Sequence, residues 1–101
     1  MKRDAIAIRL QDNVATAIRN LKAGQTAVVG RGEEILQITL EQDILYGHKL
    51  AIHPIDRGQD VIKYASVIGR ATCAIARGAH VHVHNVESLR GRGDLDRKTE
   101  K

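Results

Sequence analysis

The chain has 101 residues, room for one domain, and its only aromatic residues are Tyr46 and Tyr64, while 43% of it is apolar. A core must therefore be built from Ile, Val, Leu and Ala, and intrinsic disorder is excluded. The formal charge is +4, the single cysteine Cys73 allows neither an internal disulfide nor a cysteine-based zinc site, and no apolar run approaches the roughly 20 residues of a membrane span.

Ala5–Leu10 is predicted as a strand, with Ile6, Ile8 and Leu10 alternating against Ala5, Ala7 and Arg9. Asp12 or Asn13 then suits a helix N-cap. Val14, Ala17, Ile18 and Leu21 recur at helical spacing, and Gly24 is placed to end a helix, so the pattern predicts a short helix over Asn13–Ala23. Thr26–Val29 and Ile35–Leu40 flank Gly30-Arg31-Gly32 and read as a hairpin. Asp43–Tyr46 reads as an irregular turn, and His48–His53 as a strand that stops at Pro54. Val61–Tyr64, Val67–Gly69 and His80–Val86 complete a set of short strands. The expected fold is mainly β with one short helix, in a domain over residues 1–88, followed by a Gly/Arg/Asp-rich tail over residues 89–101.

A short repetition supports a strongly bent β structure. Ile55-Asp56-Arg57-Gly58-Gln59-Asp60-Val61 resembles Ile75-Ala76-Arg77-Gly78-Ala79-His80-Val81, with Leu21-Lys22-Ala23-Gly24-Gln25-Thr26-Ala27 as a looser third copy. Each places a glycine where the backbone must turn, then opens a strand.

His80-Val81-His82-Val83-His84-Asn85 is the most informative local feature. In a strand the three histidines share one face, with Val81 and Val83 toward the core. Same-face neighbours lie roughly 6.5–7 Å apart, so two imidazoles can lean onto one ion at about 2 Å each, while three in a row cannot all reach it. Imidazole suits zinc, iron, copper or nickel, so spacing leaves the metal open. Cys73 lies among Ala71, Ala74 and Ile75 and reads as a small buried residue.

Charge points the same way. Ile44–Val86 holds Lys49, Arg57, Lys63, Arg70 and Arg77 against Asp56 and Asp60, together with His48, His53, His80, His82 and His84. That local excess fits a small anionic ligand. Nucleic acid is disfavoured, because the aromatic platforms of single-strand binders are missing and the tail carries mixed charge.

These residues resemble a known family. Asp12-Asn13-Val14-Ala15, Leu21-Lys22-Ala23-Gly24, Gly47-His48-Lys49-Leu50-Ala51, Val61-Ile62-Lys63-Tyr64, Ile68-Gly69-Arg70-Ala71 and Val81-His82-Val83-His84-Asn85 occur in this order over Ile6–Asn85. The chain is similar to the SAF-domain module of the altronate dehydratase family, which includes altronate and galactarate dehydratases and the small subunit of sulfolactate sulfo-lyase. The resemblance implies a β-clip fold and a larger catalytic partner region, fused or encoded as a separate large subunit. Because this sequence ends soon after the module, a separate small subunit is expected. The resemblance also implies a sugar-acid or sulfo-acid substrate and a divalent metal, Fe2+ first, with Mn2+ or Zn2+ as alternatives. On it rest the expected catalytic residues His48 and Lys49, the metal ligands His82 and His84, and Asn85 as a substrate-binding residue. Arg90 and Arg92, in a tail where members vary, are the further substrate-binding candidates, and His80 falls outside the His-x-His-Asn motif. The expected protein is a cytoplasmic lyase subunit that self-associates and binds neither nucleic acid nor membrane. The competing expectation is a non-catalytic carbohydrate- or anion-binding module.

Overall fold

The computed structural model describes residues 2–88, and these form nine strands and no helix. The strands are β1 (Ala5–Ala7), β2 (Val14–Ala17), β3 (Thr26–Arg31), β4 (Glu34–Thr39), β5 (Lys49–Ala51), β6 (Asp60–Lys63), β7 (Ser66–Ala71), β8 (His80–Val81) and β9 (Val86–Ser88). One sheet has the order β4-β3-β1-β2-β5-β8 and the other β6-β7-β9. β1 and β3 are parallel, and every other pair is antiparallel. Among the described residues no helix is long and apolar enough to cross a membrane.

The helix expected over Asn13–Ala23 is a strand and a bend instead. Val14 and Ala15 are adjacent and both buried, but in different cores. Successive side chains can enter two cores only if the backbone is extended. Ala15 and Ala17 pack with Ala5, Ala7, Ala27, Val29, Ile38 and Leu50 on one side, while Val14 packs with Ala51, Val61, Ile75 and Val81 on the other. Burial on both sides of the strand produced the helix-like recurrence of apolar residues. Asp12 and Asn13 do satisfy backbone groups, but not those of a following helix: Asp12 Oδ2 accepts the Ile8 and Arg9 N–H groups before it, while Asp12 Oδ1 accepts the Ala65 N–H and Asn13 Oδ1 the Ile62 N–H of the β6–β7 hairpin, each at 2.7 Å.

One turn is used four times. Leu21, Ile44, Ile55 and Ile75 each precede, by three residues, a glycine with positive φ: Gly24 at 84°, Gly47 at 82°, Gly58 at 85° and Gly78 at 88°. Two residues after each glycine a strand begins, at Thr26, Lys49, Asp60 and His80. This is the geometry of a type II turn, whose third position requires φ above zero. The sequence repetition showed three of these turns; the fourth, Ile44-Leu45-Tyr46-Gly47-His48, was concealed by its different flanking residues.

The four turns form two matched halves. Leu21 bridges Ile44, and Ile55 bridges Ile75. Gly24 N–H donates to Leu40 O just as Gly58 N–H donates to Ala71 O, each at 2.8 Å. Gly47 N–H donates to Ala17 O at 2.9 Å, and Gly78 N–H to Ala51 O at 2.8 Å. Residues 21–51 and 55–81 are thus two versions of one turn, hairpin, turn and strand unit. The last strands of the two units, β5 and β8, pair with each other.

Candidate metal centre

That pairing brings the histidines together. The β5–β8 register sets Lys49 opposite Val81 and Leu50 opposite His80. Carried one step further, it sets His48 opposite His82. The His48 and His82 rings stack with centroids 4.1 Å apart, and His80 lies 5.1 Å from His48 and 5.5 Å from His82. His48 Nδ1 and His80 Nε2 are 2.9 Å apart, a hydrogen bond in which one imidazole donates and the other accepts. One ring nitrogen from each of His48, His80 and His82 lies within 4.8 Å of the other two. Among the described residues no carboxylate or thiol joins this group.

Asn85 holds the loop that carries His82. The chain leaves β8 after Val81, turns through His82–Asn85 and enters β9. The buried Asn85 side chain accepts the His82 N–H at 2.9 Å and donates to the His80 carbonyl at 2.8 Å. Gln42 Oε1 accepts the His80 N–H at 2.8 Å. Both amides therefore act on the backbone that positions the rings. Asn85 stood in the recognised motif, whereas Gln42 lies in a connection whose sequence carries no signal.

The electrostatics favour the neutral form of His80 and His82. Burial lowers the pKa of His80, and its neighbours His84, His48, His82 and Lys49 lower it further. Burial likewise lowers that of His82, helped by His48, Lys49 and His84. Lys49, half-buried at the start of β5, is held below the ordinary ammonium range by burial and then by the Lys63 charge. An open groove beside the cluster is lined by Lys49, Ile68, His82, Val83, Val86 and Ser88.

The donor set suits a divalent ion. Two imidazole nitrogens on one ion, each about 2 Å from it, stand roughly 3 Å apart, close to the 2.9 Å separation of His48 and His80. A ring nitrogen of His82 lies within 4.8 Å of both, so the group offers three imidazole nitrogens, a ligand type that zinc and iron accept. The proton shared by His48 and His80 must leave on binding.

Most residues singled out in the sequence meet here. His48, Lys49, His82 and Asn85 are adjacent, and His80, which lay outside the motif, belongs to the central group. His84 stands against His80 with ring centroids 5.1 Å apart but outside the group of three. The reading of His80–Val86 as one strand needs correction, because the Asn85 bonds impose a turn. Val83 accordingly points into solvent rather than the core. Cys73 is exposed rather than buried, because it follows Thr72 in the bend after β7. Arg90 and Arg92 lie outside the described residues.

Comparison with known proteins adds a family. Residues 3–89 match the family model of the altronate/galactarate dehydratase SAF domain. The chain is 42% identical over 91 residues to altronate dehydratase of Escherichia coli, a match covering 90% of this chain and 17% of that protein. It is 41% identical over 75 residues to (2R)-sulfolactate sulfo-lyase subunit alpha of Chromohalobacter salexigens, covering 72% of this chain and 80% of that subunit. With the same subunit of Paracoccus pantotrophus it shares 36% identity over 63 residues, 62% of this chain and 94% of that one. The match spans about a sixth of the E. coli altronate dehydratase, at 17%, and most of the sulfo-lyase subunits.

Proposed function

The chain belongs to the altronate/galactarate dehydratase SAF-domain family, and from that premise we propose that it is the small subunit of a metal-dependent lyase. The enzyme would eliminate water from a sugar acid or sulfite from a sulfo-acid, with this chain lending residues to a larger catalytic subunit. The observation that carries the reading is the convergence of His48, His80 and His82 beside the half-buried Lys49. The two-subunit arrangement is supported by the sulfo-lyase relatives, which are named as alpha subunits.

Elimination requires loss of the proton next to the carboxylate and departure of the β-substituent. His48, His80 and His82 would hold the divalent ion, Fe2+ in the first place, which when bound supplies Lewis-acid stabilisation of developing negative charge. As an ammonium, Lys49 would neutralise the substrate carboxylate; as a free amine, the form its lowered pKa favours, it would instead accept the proton. Ile68 and Val86 give the groove an apolar wall that strengthens the Lys49–carboxylate attraction. Asn85 keeps the backbone of His80 and His82 in place.

The test is co-production with the larger polypeptide, followed by assay on altronate, galactarate and sulfolactate. The complex turns one of them over, and a His48→Ala, His82→Ala double variant loses at least about 100-fold in kcat with assembly intact. Turnover by the purified small chain alone contradicts the subunit reading. Unchanged turnover in the double variant contradicts a catalytic contribution and favours a binding module.

A further inference from the structure

The fourfold turn provides an internal comparison. Between the leading aliphatic residue and the glycine, three copies carry Lys22-Ala23, Asp56-Arg57 and Ala76-Arg77. The copy at the histidine cluster carries Leu45-Tyr46. Leu45 is 55% exposed and Tyr46 71% exposed. The second turn at the cluster, His82–Asn85, has Val83 at its tip, 82% exposed. Turn tips favour Gly, Pro, Asn, Asp and Ser. The turns next to His48 and His82 place large side chains there instead, whereas the Ala76-Arg77-Gly78 turn that precedes His80 does not.

These tips flank the site from both sides. Tyr46 lies two residues before His48, and Val83 follows His82, whose rings stack at 4.1 Å. Val83 continues into the apolar wall of Ile68 and Val86. The centre beside them is nitrogen-rich, with Lys49 and three histidines and, among the described residues, no carboxylate in the histidine group. A complementary surface is therefore apolar at its rim and acidic at its centre. Exposed Tyr and aliphatic side chains around a desolvated polar centre are typical of interface anchors.

We propose that Leu45, Tyr46 and Val83 form the docking surface for the larger catalytic polypeptide of the lyase, which covers these tips with apolar side chains and presents carboxylates beside His48 and His82, leaving Lys49 to the substrate. The identity of this partner rests on the lyase reading. The choice of partner follows from proportion: the chain matches 17% of altronate dehydratase, so most of that protein is available to cover such a face. Covering it also excludes water from the groove, which strengthens every charge interaction inside.

The experiment measures the affinity of the chain for the polypeptide of the same genome that resembles the unmatched part of altronate dehydratase, without substrate, by sedimentation or calorimetry. Leu45→Glu, Tyr46→Glu and Val83→Glu each weaken binding about 100-fold. Ile35→Glu, an exposed site on β4 at the opposite edge of the sheet from β8, changes it less than about threefold. Circular dichroism checks folding, and Tyr46→Ser and Val83→Ser, about 10-fold weaker, replace any glutamate variant that unfolds. Unchanged affinity in the tip variants, equal loss in Ile35→Glu, no binding by the wild-type chain, or occupation of the tips by a second copy of this chain overturns the proposal. A complex broken by the tip variants but inert toward all three substrates retains the surface and overturns the lyase reading. An active complex indifferent to the tip variants does the reverse.

Discussion

Asp12 and Asn85 are the buried polar residues of the described fold, Asp12 accepting backbone N–H groups and Asn85 bonding one backbone N–H and one carbonyl. Burial alone would push the Asp12 carboxyl up; the N–H groups of Ile8, Ala65, Arg9 and Tyr64 outweigh it, and the pKa falls below the ordinary 3.8. A group depressed in the fold stabilises it above its unfolded pKa and loses that contribution as pH falls through the folded value. Asp12→Asn therefore destabilises the chain by about 1–3 kcal/mol at pH 7, and in urea melts the gap from wild type narrows below about pH 4. An equal gap at pH 7 and pH 3 contradicts this role. Asn85→Ala should cost about 1–3 kcal/mol and weaken metal binding about 10- to 100-fold, checked by melts and metal titration of the same sample. The lowered His80 and His82 pKa values have the same sign. Their stabilisation is present above pH 6.5 and is lost as acid protonates the folded rings, so metal affinity falls in that direction too.

At the scale of elements, the positive-φ glycines carry the bends. A Cβ at Gly58 meets nothing within 4 Å, so Gly58→Ala costs only the left-handed backbone penalty, about 1–2 kcal/mol. A Cβ at Gly78 runs into the Thr39 carbonyl, so Gly78→Ala costs about 3 kcal/mol or more. Urea melts that rank the two equally contradict this account of the turns. The β hairpins were legible because their alternation and glycines are local signals. The Val14–Ala17 strand was not, because burial in two cores makes an extended segment imitate a helix's apolar stripe. The turn over Asp43–Tyr46 was legible as a turn but not as a fourth copy of the repeat, because Leu45 and Tyr46 stand where the other copies carry a charged residue or alanine.

At the scale of the molecule, two matched units, residues 21–51 and 55–81, meet through their final strands, and the histidine cluster lies at that meeting. Histidine spacing alone pointed to a pair along one strand. It could not identify His48 as the third member, because the Lys49–Val81 register that opposes His48 to His82 links residues 32 apart in sequence. Nor could it place His84 outside that group of three nitrogens, because the turn after Val81 depends on Asn85 bonds that appear only in the folded chain. The central claim is that His48, His80 and His82 form one metal centre. Titration of the chain with Co2+, followed by visible absorption, tests it most directly. One equivalent should bind, with at least about 10-fold weaker binding in His48→Ala and less than about threefold change in His84→Ala. Absence of binding, or its loss in His84→Ala with retention in His48→Ala, contradicts it.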